Sequence, residues 1–220
     1  MADRKALCLV SGGLAEIAPE DRLILPGDPD FDLHAASKQY VDRRFSHGLD
    51  TGEAIYPRPD LASNAVTCVS QTMRLVFFTA TKSLNTTQVR VIGGATAAAA
   101  TPTLIENGLF TIGTSGDGTR VTVTGNDTSL YSVANSTYTR SWLAAYNMVI
   151  GLRYALSWLV VSSFAVPTYT GMNIISTATT ESSFPPRITG TIPGQTATPT
   201  AFTAASVVAV TSRPYGVILP

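Results

Sequence analysis

Histidine is missing from residues 51–220; the only two in the chain, His34 and His47, fall in the first fifty. Its absence removes Ser-His-Asp and Cys-His catalysis, and any His-ligated metal, from most of the molecule. Lysine is scarce, with Lys5, Lys38 and Lys82 alone. Acids and bases balance at 15 each, leaving no basic stripe to grip a phosphate backbone, so no nucleic-acid partner is expected. No apolar run approaches the roughly 20 residues of a spanning helix. The longest, Tyr154 to Val161, is strand length, and no membrane insertion is expected. Cys8 and Cys68 sit in different regions and read as two unpaired, packed thiols. The first residues do not read as a signal peptide, because Gly12 and Gly13 cut short a brief apolar run. Synthesis in a reducing cytoplasm is the expectation.

What is present is unevenly distributed. All 30 threonines lie beyond residue 50, while residues 1–50 carry nine of the 15 acids and six of the 15 bases. A charged, extended arm is joined to a neutral globule rich in Thr, Val and Ala, which suits a protein attached at one end and displaying the other. Residues 1–31 read as an arm punctuated by Gly and Pro. Lys5–Val10 and Leu23–Leu25 are strand pieces too short to bury themselves. Asp32 caps a short helix over 32–46, with Leu33, Ala36, Tyr40 and Val41 as a narrow apolar stripe. Such a helix is marginal alone in water and needs to dock or bundle. Residues 47–54, with His47-Gly48 and Thr51-Gly52, form a linker.

From residue 55 to 220 the pattern is β. Strands are predicted at 64–69, 72–80, 86–93, 103–112, 119–124, 129–133, 136–145, 150–162, 172–177, 186–191 and 206–219, rich in Val, Ile, Thr, Phe and Tyr. Turn signals stand at Gly93-Gly94, Asn107-Gly108, Ser115–Gly118 and Gly125–Asp127. Gln88–Ile92 and Arg120–Thr124 alternate like a half-solvated antiparallel sheet, whereas Tyr154–Val161 is apolar on both faces and reads as a central strand. Ser141–Met148 leaves a short helix as a minority alternative. Two Pro/Ser/Thr-rich loops are expected within 178–205, around a short strand, and long loops tend to carry binding. The whole predicts an all-β fold: an antiparallel β-sandwich of jelly-roll type, preceded by the arm and one short helix.

Few motifs carry chemistry. Asp28, Asp30 and Asp32 have the first spacings of a calcium loop, but Leu33 and Gln39 stand where glycine and glutamate are needed. Turn and cap roles explain them, and neither metal nor cofactor is expected. Asp50-Thr51-Gly52 occurs once, in the linker, without the second copy an aspartic-protease dyad requires. A glycosidase needs only two carboxylates, but Glu53, Asp60, Glu106, Asp117, Asp127 and Glu181 mostly abut turns, where acids sit for backbone reasons. The chain therefore reads as non-enzymatic. Trp142 and Trp158 fall in strand patterns and read as core. Tyr169, Phe184 and Tyr215, near predicted loops, are the candidates for stacking on a ligand, with Arg187 and Arg213 supplying polar contacts.

Leu25-Pro26-Gly27-Asp28-Pro29, followed by His34-Ala35-Ala36-Ser37-Lys38-Gln39-Tyr40-Val41-Asp42, resembles a signature near the N-terminus of bacteriophage tail-fibre, minor-tail and head-fibre proteins. The Thr-rich strands and residues 93–103 are similar in texture to β-sandwich domains of minor tail proteins of actinobacterial phages. The resemblance implies a homotrimer in which Leu33, Ala36, Tyr40 and Val41 line a three-fold contact. It also implies that residues 1–46 bind other virion structural proteins. The expectation is a virion protein made in the host cytoplasm, a trimeric minor tail protein or short tail fibre, with host cell-envelope glycan as the candidate ligand. A capsid decoration or head-fibre protein is the alternative address, and a carbohydrate-active enzyme is the alternative class.

Overall fold

The structure, a computed structural model, describes residues 7–10, 13–16, 62–98, 102–163, 166–173 and 188–220. The chain divides into two units, Met1–Phe45 and Ser46–Pro220. In the first, β1 (Leu7–Val10) pairs antiparallel with β2 (Gly13–Glu16), Val10 lying opposite Gly13. The expected strand at Leu23–Leu25, the helix over 32–46 with Leu33, Ala36, Tyr40 and Val41, and the linker at 47–54 lie outside the described residues.

The second unit is all-β, antiparallel and sandwich-like, with a curled half-barrel. Its strands are β3 (Ala62–Thr67), β4 (Met73–Thr79), β5 (Leu84–Ile92), β6 (Leu104–Ile112), β7 (Gly118–Val123), β8 (Thr137–Met148) and β9 (Arg153–Val161). They continue with β10 (Thr168–Asn173), β11 (Thr189–Ile192), β12 (Ala201–Phe202), β13 (Ser212–Pro214) and β14 (Gly216–Leu219). A six-stranded sheet runs β11-β4-β9-β6-β7-β12, beside three-stranded sheets β14-β5-β8 and β13-β10-β3. Single bridges join them: Thr124 to Trp142 links the large sheet to β8, and Gly93 to Tyr169 links the end of β5 to β10.

Side-chain alternation builds a core on both faces of the large sheet. From β9, Tyr154, Leu156, Trp158 and Val160 enter one cluster with Val76, Phe78, Val89, Val91, Leu109 and Trp142. Ala155 and Leu159 enter the other with Met73, Leu75, Phe77, Phe110, Ile192, Phe202 and Val207. β9 is thus the doubly buried central strand its sequence predicts, and both tryptophans are core.

Three local expectations are corrected. Asn107-Gly108 is no turn but lies within β6, opposite Trp158 and Ser157. Glycine is needed there because a Cβ at 108 would come within 2.8 Å of the Ser157 and Thr198 side chains. Residues 129–133 form no strand: Asp127 Oδ1 accepts the Ser129 N–H at 2.9 Å, and Tyr131 takes φ +64°. Ser141–Met148 is strand, not helix, because Trp142 and Met148 turn inward from β8 while most residues between them stay exposed. Residues 195–205, within the stretch expected as loops, are held to the large sheet at two points. Phe202 packs on Phe110 with ring centroids 5.1 Å apart. The Thr198 backbone is held at both groups: Glu106 Oε2 accepts its N–H at 3.0 Å, and Arg120 donates to its carbonyl.

Candidate functional site

Of the five residues predicted to meet a ligand, two are ruled out by burial. Tyr169 is 1% exposed and Tyr215 2%. Tyr169 stands in β10 opposite Val66; its ring meets Tyr131 edge-on with centroids 5.0 Å apart. Its hydroxyl donates to Cys68 Sγ at 3.2 Å. Tyr215 joins β13 to β14, its N–H bonded to the Thr170 carbonyl at 2.9 Å. Both rings flank loop sequence yet sit on pleated backbone that turns them inward. Arg213 lies half-buried in β13, opposite Met172. Phe184 and Arg187 fall outside the described residues. No exposed aromatic platform forms from the described members of the set.

The buried polar cluster around Tyr169 has a structural chemistry. Burial pushes the Cys68 thiol up to about 11, against a smaller opposing effect of its hydrogen bond with Tyr169. Burial likewise drives the Tyr131 and Tyr169 hydroxyls well above their ordinary value. It lowers the pKa of Arg74, whose guanidinium donates to Ser212 Oγ at 3.0 Å and the Thr67 carbonyl at 2.8 Å. A thiol kept protonated in this way packs; it does not attack. Cys68 is the free, buried cysteine expected from the sequence.

Glu106, Asp117 and Asp127 each accept a backbone N–H. Glu106 holds Thr198. Asp117 accepts the Ala204 N–H at 2.7 Å and the Ser115 hydroxyl at 2.8 Å, and these bonds lower its pKa. Asp127 accepts from the Ser129 hydroxyl at 2.6 Å and forms an ion pair with Arg140. Among the described residues no group of three or more His, Cys, Asp or Glu is placed to hold a metal ion.

What sequence reasoning missed is an apolar turn. Residues 141–152 carry no charge between Arg140 and Arg153. At the end of this stretch the β8–β9 turn exposes Val149 (47%), Ile150 (58%) and Leu152 (50%). Gly151 supplies the left-handed residue at φ +80°. The turn is pinned to its neighbours: Gly151 N–H donates to Ala80 O at 2.8 Å, and Ala80 N–H to Leu152 O at 2.9 Å. Ile150 N–H donates to Ser83 Oγ at 3.1 Å and Val149 N–H to Tyr154 Oη at 2.9 Å.

Strand register places this turn at one end of the unit. Thr79 of β4 and Thr111 of β6 pair with Arg153 and Tyr154, and Leu84 of β5 with Met148. The β4–β5 turn with Lys82 therefore lies beside it. The guanidinium of Arg153, at the base, lies 5.8 Å from the Phe77 ring centroid. At the other end of β5, Ile92 pairs with Thr137 and Gly93 bridges to Tyr169. The end of β3, with Val66 opposite Tyr169 and Thr67 opposite Thr168, thus lies beside the end of β5 away from the apolar turn. No protein-family model and no curated protein matches this chain.

Proposed function

We propose that this chain is a non-enzymatic structural protein of a bacteriophage virion, a homotrimeric minor tail protein or short tail fibre. Residues 1–46 are its anchor, and the β unit is its outward, host-facing part. The observation that carries the display reading is the exposed aliphatic Val149–Leu152 turn, which stands at the end of β5 and β8 away from the Gly93–Tyr169 bridge. The seam of charge and threonine near residue 50, and the resemblance carried by residues 25–42, support attachment through the amino end. The engagement of Glu106, Asp117 and Asp127 in backbone contacts supports a structural role over glycan cleavage.

Immunogold labelling of particles tests the address. Gold at the tail tip is the expected result; gold confined to heads replaces the tail reading with a head-fibre or decoration protein, and unlabelled particles end the virion reading. Removal of residues 1–46 is expected to leave a soluble β unit that no longer joins particles, and normal incorporation contradicts the anchor.

A further inference from the structure

We draw no further inference here: the strongest candidate, the exposed aliphatic turn between β8 and β9 at Val149–Leu152, carries none because nothing in the structure shows what covers it.

Discussion

Thr86 is one of 30 threonines, yet it is fully buried in β5 and its hydroxyl is used twice. It accepts the Trp142 indole N–H at 2.8 Å and donates to the Leu219 carbonyl at 2.7 Å. Thr86→Val keeps the shape and strands both partners. It is expected to cost about 2–4 kcal/mol in urea unfolding, the penalty for buried groups left unpaired. Thr87→Val, one residue away and exposed, is expected to stay within about 0.5 kcal/mol of native. Asp127 gives a prediction in pH. Partial burial opposes its ionised form, but hydrogen bonds from Ser129 and Arg140 outweigh that, and its pKa is lowered. Its contribution is therefore present above the ordinary carboxylate value and lost as pH falls through the lower folded one. Asp127→Asn is expected to melt lower than native at neutral pH by the equivalent of about 0.5–1 kcal/mol. The gap should close below about pH 4; a gap that persists into acid contradicts the assignment. At this scale the sequence was partly legible. Trp142 and Trp158 declared themselves as core through their strand setting. Tyr169 and Tyr215 did not, because proximity to a loop says nothing about which way a ring points.

Strands were more legible than their ends. β9 announced its double burial through an unbroken apolar run, and β4, β5 and β7 fall close to their predicted spans. The failures share a cause: one local signal served a different purpose. Gly108 looked like a hairpin glycine and proved to be a clearance for Ser157 and Thr198. Gly108→Ala is accordingly expected to destabilise by about 1–3 kcal/mol through overpacking, by urea unfolding. Gly113→Ala, where a Cβ meets nothing closer than 3.8 Å, is expected to be tolerated. Residues 129–133 had β-forming composition, but the Asp127 side chain captured the backbone first. The apolar turn was invisible for a further reason. The run is far shorter than the roughly 20 residues of a membrane span, and Ile150 to Leu152 fall within the predicted strand 150–162, where aliphatic residues count as core. Only the register that leaves them beyond β8 and before β9 exposes them.

For the whole molecule, the seam near residue 50 stands close to the division into Met1–Phe45 and Ser46–Pro220, and the all-β class followed from strand chemistry alone. The gathering of the turns at one end of the β unit was not legible. It depends on β9 pairing with β4 and β6, contacts between residues far apart in sequence that no local pattern encodes. The trimer belongs to this scale too: light scattering on the intact chain is expected to return three times the chain mass, and a monomer removes the three-fold contact assigned to Leu33, Ala36, Tyr40 and Val41. The most direct test is a reconstruction of the particle at a resolution that traces β8 and β9. The account expects three copies, each amino end joined to the virion, with the Val149–Leu152 turns facing outward. Density that lays residues 62–220 against the virion, with that turn inward and the first fifty residues projecting into solvent, contradicts it.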